Sequence, residues 1–196
     1  DLVFITLHMV VLASGLDNES LLLNVDQGYA EVFQYQKYAW LILLSLWAGW
    51  TRRRWRMAGW SLLFAYLLAD DVFRLHEHLG LRLSSSAAVG EAIGGVLLGV
   101  GCIAGAWVLC REPRPHHRRA HWTVAGLLIL LAAFGVGVDA IHGGVTALWG
   151  QVHVLDVIED GGEHVVVSAL VAVVFSWGIH EAGSSRDGLR TAVARG

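Results

Sequence analysis

Six stretches of this chain are so continuously apolar that they constrain its fold before any motif is considered. They cover about residues 2–16, 36–51, 57–78, 88–110, 122–142 and 152–180. A hydrocarbon core of about 30 Å takes about 20 helical residues to cross, and all but the first two reach that length. The expected fold is therefore all-α, an integral membrane bundle of six transmembrane helices in one domain over residues 1–196. Composition supports this. Charged residues make up 16% and mean hydropathy is +0.54, whereas a soluble domain is about 25% charged. The run at 2–16 begins abruptly at Asp1, without a Met, so a trimmed N-terminus is expected and no intact signal peptide is visible.

The signs of charge are segregated. "TRRRWR" at 51–56, "REPRPHHRRAHW" at 111–122 and the tail after 180 hold eleven of the fourteen Lys and Arg residues. Six spans put all three segments on one side, which the positive-inside rule makes the cytoplasm. Both termini are then cytoplasmic, and the expected location is a bacterial inner membrane. The opposite side has the 17–37 segment, "LRLSSSAA" and "GGVTALWGQ". The first is amphipathic and is expected to lie at the outer interface. Its "NVDQG" lacks a complete set of calcium-ligand positions and is read as a turn. The basic loop at 111–121 is explained by topology and anionic lipid, without nucleic acid. Cys102 and Cys110, eight residues apart on one helix, would be about 12 Å apart, too far for a disulfide, and are read as packing residues.

Against this background "LADDVFRLHEHLG" at 68–80 is anomalous, because ionisable groups at membrane depth are costly and usually functional. Counting 1.5 Å per residue from the cytoplasmic side puts Asp70 and Asp71 at about 20 Å and His76 and Glu77 at about 30 Å. By the same rise Asp139 and His142 lie at about 26–30 Å, Glu163 and His164 at about 24–26 Å, and Glu159 and Asp160 at about 30 Å. Glu91 and His8 fall near this level. Separate structural ion pairs have no need of a common depth, whereas one polar chamber facing the outer side does. In the last span Asp156, Glu159, Asp160 and Glu163 share a helix face, and acid–histidine pairs recur at i, i+4 (Asp160, His164) and i, i+3 (Asp139, His142). Such pairs are how bundles present ligands to a metal. Gly-Gly pairs at 94–95, 143–144 and 161–162 either bring helices close or leave space beside the acids.

Each of these features has a plainer reading. Arg74 can pair with Asp70 one turn away, and Asp139–His142 can be an interfacial pair. The four acids of the last span are harder to dismiss, since they repel one another unless protonated, paired or bound to metal. The outer layer offers only Lys37, Arg74 and Arg82 as fixed cations. Carboxylates with histidines and no thiolate suit Fe, Mn or Zn better than copper(I) or an iron–sulfur cluster. Haem held by His8, His142 or His164 would leave the carboxylates unexplained. Motifs of soluble hydrolases, nucleotide-binding loops and His-Glu-x-x-His are absent from the sequence.

The chain resembles a group of uncharacterised bacterial multi-pass membrane proteins. These carry an Asp-Glu…Leu-His-Glu motif, a later span ending in an acid, and a final span opening with Glu-Glu-Gly-x-Glu. The matching residues here are Asp70, Asp71, His76 and Glu77, then Asp139, then Glu159, Asp160, Gly161 and Glu163. Asp71 and Asp160 stand where the group more often has Glu, and His142 and His164 are additions. The resemblance implies a site and no particular reaction.

The functional expectation is an outward-facing site for divalent metal, with Asp71, His76, Glu77, Asp139, His142, Glu159, Glu163 and His164 as ligands. Asp70 or Asp160 would serve as general base or supporting group, acting on a lipid-soluble or membrane-proximal substrate. The alternatives are a proton or cation transporter, for which the inner leaflet lacks a titratable path, and a non-catalytic subunit of a membrane complex. Cysteine labelling in intact cells should find positions in 52–56 and 111–121 reactive only from the cytoplasm. Labelling of either loop from outside would overturn the depth argument.

Overall fold

A computed structural model of the protein describes residues 1–14, 19–23, 28–83, 87–138, 141 and 153–193. Among the described residues the structure is helical throughout, without strands. Its helices are α1 (Leu2–Ser14), α2 (Tyr29–Arg52), α3 (Trp55–Phe73), α4 (Leu75–Leu83), α5 (Ala87–Cys110), α6 (Pro115–Ala132) and α7 (His153–Val193). A π-helical turn, Ala133–Val138, extends α6. Among the described residues three helices are long and apolar enough to cross a membrane: Ile93–Cys110, His117–Val138 and Val157–Ile179.

The outward faces of the helices are apolar. Leu43, Leu62, Val100, Ile103 and Ile129 are all exposed, a surface that suits lipid better than water. At the arginine-rich end Trp50, Trp55, Trp107 and Trp122 are exposed as well. The Arg56 guanidinium lies 5.0 Å over the Trp55 ring and that of Arg111 lies 5.3 Å over Trp107. Exposed indoles beside arginines match the aromatic belt found where a bilayer meets water. In the connection between α5 and α6, Glu112 accepts a hydrogen bond from Arg56 at 3.2 Å. Burial alone would push the Glu112 carboxyl up; the hydrogen bonds from Arg56 and the Arg114 backbone N–H, with the Arg56 and His121 charges, reverse that and hold it below its ordinary value.

The most extensive packing joins α2 to α3 as an antiparallel hairpin. α2 ends with Arg53 in the left-handed region, φ 49°, while the Arg54 N–H donates to the Gly49 carbonyl at 2.9 Å. That six-to-one closure is the helix-ending pattern usually completed by glycine. Gly49 is also where the two helices touch: a Cβ there would lie 2.6 Å from the Ala58 nitrogen. Around the hairpin α7 packs on α2 and α6, and α5 packs on α3 and α6. Their common core contains Leu41, Trp60, Phe64, Val124, Val167 and Leu170, each no more than 1% exposed.

Three boundaries differ from the sequence expectation. The last part of the 17–37 segment is not an interfacial loop, because α2 begins at Tyr29 and continues unbroken to Arg52. The expected span 57–78 is interrupted at Arg74, whose φ of 47° ends α3 before α4 begins at Leu75. A helix-period argument that carries Asp70 through to Glu77 therefore fails at Arg74. Finally, α6 begins at Pro115, not 122, since proline at the first helical position costs no hydrogen bond. Those extra turns place His117 and His121 inside the bundle.

Gly49→Ala should destabilise the protein by about 1–3 kcal/mol, the usual cost of overpacking a tight contact. Gly126→Ala, where nothing lies within 4 Å of the new methyl, should be neutral or stabilising because alanine is the better helix former. Thermal melts of both variants in detergent check the pair.

Candidate functional site

Tyr38 is the centre of the site. It projects from the middle of α2, is 3% exposed, and its hydroxyl lies within electrostatic range of Asp71, Glu163, Asp70 and Cys102. Those four residues come from α3, α7 and α5. One turn earlier on α2 the Tyr35 hydroxyl donates to Glu31 and feels the charges of Asp71 and Arg74. Asp70 also lies near Cys102 and the Tyr66 hydroxyl. The π-helical turn after α6 completes the wall. A Cβ on Gly135 would collide with the Glu163 carboxylate, and one on Gly162 would collide with the Phe134 ring. The close packing at Gly162 therefore leaves no room for a side chain beside the Phe134 ring, and a methyl at Gly135 would push the Glu163 carboxylate aside. Gly161 packs ordinarily, 3.4 Å from Ile5, while Gly95 has open space around it. The close-approach reading of the glycine pairs applies at 161–162 and not at Gly95.

The structure therefore brings together Asp70, Asp71 and Glu163 of the sequence-predicted set. Glu159 and Asp160 lie partly buried about one turn away along α7. The helix of α4 carries His76 and Glu77, whose side chains lie outside the described set, as do those of Glu91 and Asp156. Asp139 and His142, with Gly143 and Gly144, lie outside the described residues altogether. Among the described residues no group of three or more His, Cys, Asp or Glu side chains is arranged to hold a metal.

His164 is adjacent to Glu163 in sequence but points elsewhere, as neighbours on a helix must. It is 4% exposed and faces Lys37, whose Nζ lies 3.0 Å from His164 Nδ1 and 2.9 Å from the His164 carbonyl oxygen. The same ammonium donates to Asp1 Oδ1 at 2.7 Å and sits 5.0 Å over the Phe33 ring. An ammonium has three donors and no acceptor, so His164 Nδ1 accepts and its proton resides on Nε2. Lys37, expected as an outer-layer cation, is 1% exposed and ties Asp1, at the start of α1, and α7 to α2. Only Nε2 of His164 is left for any metal. His8 has a related duty, its Nδ1 accepting the Leu23 N–H at 3.0 Å. Beside Lys37, an open groove of about 260 Å³ between α2 and α7 is lined by Phe33, Trp40, Ser168, Val171, Ala172 and Phe175.

A second polar cluster lies at the arginine-rich end. His121, 1% exposed, accepts the Trp60 indole N–H at Nδ1 over 2.7 Å and meets the Trp177 ring edge-on at 4.7 Å. One turn away, His117 Nε2 lies 2.6 Å from the Arg54 Nη1. Sequence reasoning placed both histidines in a basic loop. Their i, i+4 spacing behind Pro115, with Arg118 and Arg119 between them, was the available signal. The phenols of Tyr35 and Tyr38 gave a weaker one, since tyrosines near a helix end read equally well as interface anchors.

Among the described residues, an all-helical chain with membrane-length apolar helices and acids of α3 and α7 facing a buried tyrosine of α2 defines the class. The chain belongs to the family described as "Domain of unknown function (DUF8692)", whose model matches residues 6–177. No curated protein and no solved structure matches it.

Lys37→Met should lower stability by about 3–5 kcal/mol, the cost of stripping one partner from a buried charged pair. An unchanged melting temperature in detergent would show that the ammonium does not tie these helices.

Proposed function

We propose that the protein is a six-span integral membrane protein of a bacterial inner membrane, with both termini cytoplasmic. Its outward-facing acidic chamber binds a divalent metal, Fe, Mn or Zn, in support of chemistry on a lipid-soluble or membrane-proximal substrate. The observation that carries this reading is the convergence of Asp70, Asp71 and Glu163, from two helices, on the buried Tyr38 hydroxyl. Asp70, Asp71 and Glu163 are half-buried; carboxylates held near one another need a shared counter-charge, and oxygen-rich sites favour hard or borderline cations. Asp71 and Glu163 are the ligands nearest the centre; Glu159, His76, Glu77, Asp139 and His142 supply the remainder, with His164 contributing through Nε2 alone. Asp70 and Asp160 act as bases or supporting groups. Bound there, the metal would polarise a substrate oxygen or activate water. The groove between α2 and α7, apolar apart from Ser168 and the Lys37 ammonium, suits a hydrocarbon chain and supports the lipid-soluble substrate. The resemblance to multi-pass proteins with acidic motifs at these positions points the same way.

Elemental analysis of protein purified without chelator should find about one or more transition metal ions per chain, as expected for a held site. His76→Ala or Glu77→Ala should lower metal affinity by roughly tenfold or more. Chelation should lower the melting temperature, and Arg74→Ala should be the milder lesion. Metal content near zero, with stability indifferent to added Zn, Fe or Mn, would overturn the proposal.

A further inference from the structure

We propose that the arginine-rich end carries a binding site for one anionic phospholipid. Its phosphodiester is held by Arg111 and the arginines beside it, and its acyl chains lie along the exposed face of α5. The inference goes beyond the metal reading and does not depend on it. Residues 51–56 and 111–122 carry eight arginines and one acid, Glu112, and the fold makes one surface of them. Arg56 Nη1 donates to Glu112 Oε2 at 3.2 Å across 56 residues of chain, and Arg54 Nη1 lies 2.6 Å from His117 Nε2. Arg54 is thereby turned toward a buried histidine, whereas Arg53, Arg111, Arg114, Arg118 and Arg119 stay exposed. One carboxylate leaves most of this charge unbalanced, so the surface is complementary to an anion.

The indoles say which kind of anion. Arg111 Cζ lies 5.3 Å over Trp107, one turn earlier in the chain, and Trp107 meets Trp122 of α6 edge-on at 6.1 Å. Arg56 Cζ lies 5.0 Å over Trp55. Trp55 stands one turn before Gly59, where a Cβ would run into Leu109 of α5, so this indole borders α5 from the α3 side. Two guanidinium–indole pairs thus flank the last turn of α5. Away from the arginines the same helix exposes Val108, Ile103 and Val100, an aliphatic strip leading from the charged edge into the apolar belt. A soluble anion would meet the arginines and leave the indoles and this strip unused. A phospholipid matches all three layers in order: phosphate on arginine, glycerol ester region on tryptophan, acyl chain on valine and isoleucine.

A site differs from the general attraction of a basic surface in two respects. Attraction depends on charge alone and is worth roughly fivefold in affinity per basic residue, the factor given by about 1 kcal/mol. A site also uses geometry: a guanidinium lays two parallel N–H groups against two phosphate oxygens and stacks its plane on an indole, and an ammonium does neither. Stacking on Trp107 holds the Arg111 side chain before the lipid arrives, which lowers the cost of ordering it. Glu112 opposes the lipid, because its carboxylate already takes a donor of Arg56. Its removal frees that guanidinium for the phosphate.

The test titrates the full chain in neutral detergent with phosphatidylglycerol or phosphatidylcholine of the same acyl chains and counts bound lipid by native mass spectrometry. A first phosphatidylglycerol should bind roughly tenfold or more tightly than phosphatidylcholine, since two arginines at about fivefold each suffice. Arg111→Gln should weaken it roughly fivefold, and Arg111→Lys should recover only part of that loss. Arg82→Gln, in α4, should change nothing. Glu112→Gln should tighten binding, a gain that a misfolded variant cannot mimic. Equal affinity for the two lipids, an Arg111→Gln protein that binds like the parent, or no gain in Glu112→Gln would overturn the proposal. Full retention in Arg111→Lys would show attraction to a basic surface without a site. Displacement by inorganic phosphate as readily as by a second anionic lipid would show a site for soluble anions. Either result rejects the phospholipid.

Discussion

Carboxylates removed from water must share a donor or a cation, and the arrangement of the helices about Tyr38 follows from that requirement. A charged group inside a bilayer costs several kcal/mol when left alone. Here Asp70 and Asp71 of α3 and Glu163 of α7 all lie within electrostatic range of one buried phenol of α2. α7 comes that close at Gly162, where a methyl group would occupy the space of the Phe134 ring, and at Gly135, where one would displace the Glu163 carboxylate. The π-helical turn at Ala133–Val138 presents Gly135 and Phe134 to α7, an irregularity of the kind often found beside functional groups.

Positive charge is handled differently at the two ends. At the arginine-rich end it spreads over exposed side chains stacked on indoles, with Glu112 as a local partner of Arg56. At the acidic end one ammonium, Lys37, is buried and uses its donors on Asp1, on the His164 ring and on the His164 carbonyl. The first arrangement can rearrange with the lipid around it. The second is held by three hydrogen bonds, and it places His164 on the side of α7 that faces α1 and α2, away from Glu163. One residue of helix rotation decides which of two neighbours belongs to the acid cluster.

Much of the plan was legible from residue order. All-helical structure, the bounds of α5 and the common level of Asp70, Asp71 and Glu163 follow from apolar run length and a fixed rise per residue. The break at Arg74 was not legible. Nothing in "DDVFRLHE" carries the glycine or proline that normally ends a helix, and the left-handed residue is an arginine. The early start of α6 was missed because "HHRRAH" was read by its charge rather than by its helical period, which alternates arginines outward with histidines inward.

The sequence by itself determined that the chain is helical and roughly how far along its helix each ionisable group lies, because both depend on local hydropathy and on the geometry of one helix. Which of those groups meet was decided by the tertiary structure. Depth fixes a height but leaves rotation about the axis open, and only packing sets it. The contacts of Gly49 with Ala58, Gly135 with Glu163 and Gly162 with Phe134 fix that rotation for α2, α3 and α7. They turn Tyr38 toward the acids and His164 toward Lys37. Those contacts join residues up to 28 positions apart in the chain, and no periodicity within a single span encodes them.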